Sequence, residues 1–140
     1  MKRVLQLKLY KKYPKIFKQQ KLPMTKTCMC WGFECGDGWY WLIDHLCSQL
    51  QWDVDRNKRP QLEAVQVKEK FGTLRFYADG SDDYQEGMIA LAEFMSASIC
   101  EICGSTDKVK QTTGWITTLC PKCKKSRQET RTGNAATAVK

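Results

Sequence analysis

The chain has 140 residues, 42% hydrophobic and 27% charged, with eight cysteines, one histidine and a formal net charge of +8. That length allows one compact domain, or a small domain with an attached module, and excludes a membrane span, since no apolar run approaches about 18 residues. Residues 1–26 carry nine Lys/Arg and no acid, residues 27–119 eight basic and fourteen acidic side chains, and residues 120–140 six basic and one acidic.

Two basic ends therefore flank an acidic body. Such ends suit phosphate contact, and they suit a solvated terminus equally well. Lysines interrupt the apolar residues of the N-terminus, so no signal-peptide core forms there. Eight cysteines without an export signal imply a reducing compartment, with thiols on metal or buried.

In residues 1–26, a basic N-terminal arm, Leu5, Leu7 and Leu9 alternate as in a strand, while Leu5, Leu9 and Tyr13 keep helical spacing; Pro14 ends either element. Tyr10, Tyr13, Ile16 and Phe17 lie among Lys11, Lys12, Lys15 and Lys18. This interleaving fits base stacking between phosphate-binding cations, or an arm pinned to the acidic body.

An α+β body over 27–99 follows. Residues 28–38 hold three cysteines and three glycines and read as a tight loop. Asp37 stands where it would cap a helix over 38–51, whose core stripe is Trp39, Leu42, Ile43, Leu46 and Leu50. Cys28, Cys30, Cys35 and Cys47 either hold a second zinc ion or are free thiols; C-x-C followed by an eleven-residue gap is not a usual zinc spacing. Trp41 and His45 stand opposite the apolar stripe, covered by the arm or offered to a protein partner.

After a polar connection at 51–61, residues 62–77 alternate as a β-hairpin turning at Gly72. With Val65, Val67, Leu74 and Phe76 inward, Lys68, Arg75 and Tyr77 share the outer face, with Lys70 near the turn. A second helix over 83–98, capped by the aspartates at 82–83, has a core stripe of Met88, Leu91, Ala92, Met95 and Ile99.

That helix runs into Cys100-Glu-Ile-Cys103-Gly, and Cys120-Pro-Lys-Cys123 follows sixteen residues later. Two C-x-x-C knuckles place four sulfurs about 2.3 Å from one ion, the pattern of a structural Zn²⁺ site in a ribbon over 100–125. The alternative is disulfides or reduced core cysteines. The β-rich run 109–119 brings the second knuckle in on a hairpin. Four thiolates close the coordination sphere, so no position is left for a reacting water. Lys122, Lys124 and Lys125 adjoin that knuckle, and residues 126–140 read as a flexible tail.

The expected fold class is α+β: two amphipathic helices packed on a small antiparallel sheet, with a C-terminal four-cysteine zinc ribbon. No nucleophile–base pair, paired carboxylates or phosphate-cradling glycine loop marks an enzyme. Two functions stay open. One is nucleic-acid binding through the basic termini, Lys68, Lys70, Arg75, Tyr77, Lys122, Lys124 and Lys125. The other is an adaptor or inhibitor that binds a host protein through Trp41 and His45.

The stretches Trp31–Tyr40 (WGFECGDGWY) and Val67–Tyr77 (VKEKFGTLRFY), followed by the two knuckles, resemble an uncharacterised family of small proteins frequent in phage and bacterial genomes. The resemblance spans roughly residues 10–123 and implies a protein of the bacterial host cytoplasm. It carries no assigned activity.

Overall fold

The computed structural model describes the backbone of residues 1–136 and the side chains of residues 1–129. It is a small α+β domain with four helices and two open sheets. No helix among the described residues is long and apolar enough to cross a membrane.

The ambiguous N-terminal segment is a helix, α1 (Arg3–Lys12). Leu9, Tyr10, Tyr13, Ile16 and Phe17 are all buried in the body's own core. Tyr10, Phe17 and Phe33 pack with ring centroids 5.0–5.7 Å apart. The lysines meet the acids opposite: Lys12 reaches Asp44 at 2.9 Å, Lys18 reaches Glu63 at 3.0 Å, and Lys15 reaches Asp55 at 3.4 Å. Asp44 also accepts from the Tyr13 hydroxyl. Burial, more than these screened surface charges, holds the segment down, so residues 1–26 are an integral part of the body.

Strand β1 (Phe33–Glu34) lies within the cysteine-rich loop and pairs parallel with β2 (Glu63–Lys70), which pairs antiparallel with β3 (Thr73–Asp79). The sheet is therefore mixed, not purely antiparallel. A bulge between Ala64 and Gln66 shifts the alternation. Ala64 and Val67 face the core with Leu74 and Phe76, and Val65 turns to the outer face instead of inward.

Helix α2 (Tyr40–Asn57) runs well past the expected end at residue 51. Its inner stripe of Trp39, Ile43, Leu46 and Leu50 is buried as expected. Asp37 does not cap it: its carboxylate accepts the Lys2 backbone N–H at 2.6 Å, tying down the start of α1. Beyond residue 51, buried Asp53 meets Arg59 at 2.6 Å, and Arg59 meets Asp82 at 2.9 Å, linking the end of α2 to the start of the next helix.

That helix, α3 (Asp83–Ser96), begins with a capping box between Asp82 and Gln85. Its buried face is Gln85, Ile89, Ala92 and Ser96, while Leu91 and Met95 are exposed and Met88 is half-buried. The expected stripe is rotated because α3 lies along the outer strand. Ser96 Oγ accepts the Leu74 N–H at 2.8 Å and Glu93 the Phe76 N–H at 2.8 Å, and Gln85 donates to the Pro60 carbonyl. A helix facing open backbone donors needs acceptors on that side.

The C-terminal module has β4 (Lys110–Gln111) and β5 (Thr118–Leu119) as an antiparallel hairpin, then α4 (Pro121–Ala136). Residues 126–136, expected as part of a flexible tail, continue α4; residues 137–140 lie outside the described residues.

Candidate metal centre and the adjoining groove

Cys100 ends the turn after α3, Cys103 closes the first knuckle, Cys120 follows β5, and Cys123 sits in the first turn of α4. Their four sulfurs lie within 4.8 Å of one another, the one such metal-competent cluster among the described residues. The Cys103 and Cys120 sulfurs are 3.7 Å apart. Sulfurs at about 2.3 Å on the corners of a tetrahedron are about 3.8 Å from each other, whereas a disulfide needs about 2.05 Å. All eight cysteines are free thiols. The donor set thus fits one tetrahedral, thiophilic ion.

Burial opposes ionisation of Cys100, but backbone N–H groups of Cys120, Cys103 and Ile102 outweigh it and bring this thiol down to about 7. At Cys100 the knuckle backbone thus favours negative sulfur, whereas burial and the neighbouring sulfurs push the Cys123 thiol well above its ordinary value.

Cys28, Cys30, Cys35 and Cys47 do not converge. Cys35 and Cys47 are buried in the main core, and burial pushes Cys35 up to about 12 and Cys47 well above its ordinary value. Cys28 is exposed, and the Cys30 thiol donates to the Thr27 carbonyl. Desolvated neutral thiols are poor ligands, and no second cluster forms among the described residues.

The module is docked on the body at two places. The Gly38 N–H donates to the Glu101 carbonyl at 2.8 Å, Glu101 Oε1 accepts from the Gly36 N–H at 3.0 Å, and the Trp39 indole donates to the Ile99 carbonyl at 2.9 Å. A Cβ on Gly36 or Gly38 would overlap the carbonyl oxygens of Glu101 or Cys100. These glycines let two backbones touch. At the second place, Gly72 (φ 76°) turns the β2–β3 hairpin, and its carbonyl accepts the Thr118 hydroxyl. A Cβ there would sit 2.9 Å from Ile116.

This second contact builds a groove of about 1040 Å³ between the outer sheet face and the module. Lys26, Lys68, Lys70, Phe71, Tyr77 and Trp115 are among its lining residues. Trp115 also lines a neighbouring cleft of about 200 Å³ with Lys124 and Arg127. The indole is 74% exposed. Thr112 staples its turn, donating to the Trp115 carbonyl at 2.8 Å while its oxygen accepts from the Thr117 N–H at 3.0 Å.

Of the surface residues expected from sequence, Lys68, Lys70 and Tyr77 share the groove and Lys124 lies in the cleft beyond Trp115. Lys68 and Arg75 are register partners on the outer face. Arg75 is turned away, bonded to Thr73 Oγ1 and the Leu74 carbonyl and 4.0 Å from Glu93. Lys122 and Lys125 are exposed on α4 and line neither cavity. Trp41 is exposed with His45 a turn away, and His45 Nδ1 contacts the Trp41 carbonyl at 2.7 Å; the N-terminal segment leaves both uncovered. Lys26, Phe71, Trp115 and Arg127 were not singled out by sequence. An aromatic in the Thr-Thr-Gly-Trp turn of a hairpin with two-residue strands has little core to enter, and that signal marks Trp115.

Comparison of the chain with family models, with curated proteins and with solved structures gives no match.

Proposed function

We propose that this is a non-catalytic nucleic-acid-binding protein whose ligand-facing wall is held in place by one Zn²⁺ on Cys100, Cys103, Cys120 and Cys123. The ion's contribution is structural, since four thiolates leave no open position. The observation that carries the reading is the position of Trp115, an exposed residue that lines both the groove with Lys26, Lys68 and Lys70 and the cleft with Lys124 and Arg127, whose guanidinium also donates to Thr117 Oγ1 at 2.7 Å. Cations on both sides of an aromatic suit a phosphate backbone passing over it. Glu69 and Asp79 line the same groove and offset part of this charge, leaving one lysine in excess there beside Lys124 and Arg127 in the adjoining cleft.

Five cations on phosphate give a slope of about −3.5 to −4.5 in log affinity against log salt. Retention on heparin and on immobilised DNA across a salt series tests this, and failure to bind at low salt would remove the reading. Native mass spectrometry with and without chelator tests the metal, with one zinc per chain expected.

A second reading, an adaptor for a host protein, is favoured by the apolar exposure of Trp41 and of Leu91, Phe94 and Met95 on α3. Binding of that kind would persist at moderate salt. The motif resemblance, and cysteines placed in a metal-competent cluster or in the core, support a bacterial cytoplasm as the setting.

A further inference from the structure

We infer that the groove takes a single strand, running from Lys26, Lys68 and Lys70 past Trp115 to Lys124 and Arg127, with unpaired bases stacked on Trp115 and Tyr77. This rests on the nucleic-acid reading above and narrows it to one form of ligand.

Three observations carry it. First, the aromatic rings lie inside the cationic track, not beside it: Phe71, Tyr77 and Trp115 line the same concave surface as the three lysines. A duplex keeps its base faces stacked internally and would gain nothing from these rings, whereas a single strand offers a π-face at every nucleotide. Secondly, Trp115 has no structural duty that accounts for it. It belongs to neither apolar core, and its indole is 74% exposed. Thirdly, its turn is fixed in advance by Thr112, which bonds across to Thr117 and Trp115. A turn whose backbone is set before contact loses less entropy when its side chain stacks.

Trp41, Trp31 and Trp52 are comparably exposed, but none of them lines this groove or the cleft beside it. Exposure alone therefore does not select Trp115; its place between two sets of cations does. The lining includes Glu69 and Asp79 as well, so the cations exceed the acids along the track by the one lysine of the groove and by Lys124 and Arg127 beyond Trp115.

The test uses the full zinc-loaded chain and fluorescence anisotropy with a labelled thymidine 12-mer, a uridine 12-mer and a hairpin duplex of mixed sequence. Either single strand should bind at least tenfold more tightly than the duplex at low salt. Trp115→Ala should weaken single-strand binding roughly 5- to 150-fold, the range for loss of one stacked base. Trp115→Phe should stay within a few-fold of wild type. The pair Lys68→Gln and Lys70→Gln should weaken every oligonucleotide and flatten the salt dependence.

Because Trp115 lies outside both cores, an unchanged melting temperature separates lost stacking from lost folding. Equal affinity for duplex and single strand, with Trp115→Ala matching wild type, would overturn the inference while leaving nucleic-acid binding in place. Failure of all three probes to bind would overturn both.

Discussion

Twenty buried apolar side chains, from Leu9 to Ala92, fill the core of the body, whereas the module beyond Ile99 buries Cys100, Leu119 and Cys120, with Val109 and Cys123 packed partly against them. The body is the ordinary case of a domain held by area removed from water. The module is not. Full burial of Leu119 contributes about 1.5–3 kcal/mol, while metal binding in comparably small modules is worth about 10–16 kcal/mol. Two of its three buried apolar residues belong to the four-cysteine cluster, so its apolar core and its candidate metal site are nearly the same atoms. On the proposed reading, such a module keeps its shape through the ion, and through its seats on Gly36, Gly38 and Gly72.

This contrast is open to direct attack. The largest effect belongs to chelation at neutral pH: residues 100–129 should lose amide dispersion in NMR spectra while the body's signals persist, and a module unchanged without metal would abolish the distinction. Next, Leu74→Ala, which empties a site at 0% exposure, should cost about 4 kcal/mol in a urea titration of the zinc-loaded protein. Leu119→Ala should cost about half as much, and equal costs would mean that the module also stands on burial. Gly38→Ala, which puts a methyl into the Cys100 carbonyl, should destabilise by about 3 kcal/mol and weaken zinc retention as well, sharpening the claim that the two regions share a backbone contact. Gly87→Ala is the counter-example. Nothing lies within 4 Å of the added methyl on α3, so the change should stabilise by about 0.5–1 kcal/mol. Smallest of all, Phe94→Ser, at a side chain 79% exposed, should move stability by no more than about 0.5 kcal/mol.

The four-cysteine cluster was legible because ligand spacing is a local property: a three-residue step places two sulfurs on one ion whatever surrounds it. The hairpin was legible because alternation and a turn glycine suffice to define one. The bulge at Val65 was not, since nothing in Ala-Val-Gln-Val says which residue the partner strand will skip. The buried side of helix α3 is rotated from the expected stripe, which shares Ala92 with it, for a physical reason. Its inward side carries polar partners for neighbouring backbone, Ser96 for the Leu74 N–H and Gln85 for the Pro60 carbonyl, so these two are buried and Leu91 and Phe94 are not. The Gly36 and Gly38 loop reads from sequence only as a tight loop, its cysteines zinc ligands or free thiols; what it meets lies 65 residues away, beyond any local pattern. The groove was half visible. Lys68, Lys70 and Tyr77 followed from hairpin alternation, but their partnership with Trp115 and Lys124 depends on how the module sits on the hairpin turn.

The placement of α3 has one more consequence. With Ser96 and Glu93 occupying the outward N–H groups of Leu74 and Phe76, β3 cannot template another chain by strand addition. At the opposite margin β1 is two residues long, and the Phe33 N–H points to Gln6. Both margins are thereby blunted against edge-to-edge aggregation. An extended peptide seeking to lengthen this sheet finds little backbone to pair with, so recognition falls to its faces and to the side chains they carry.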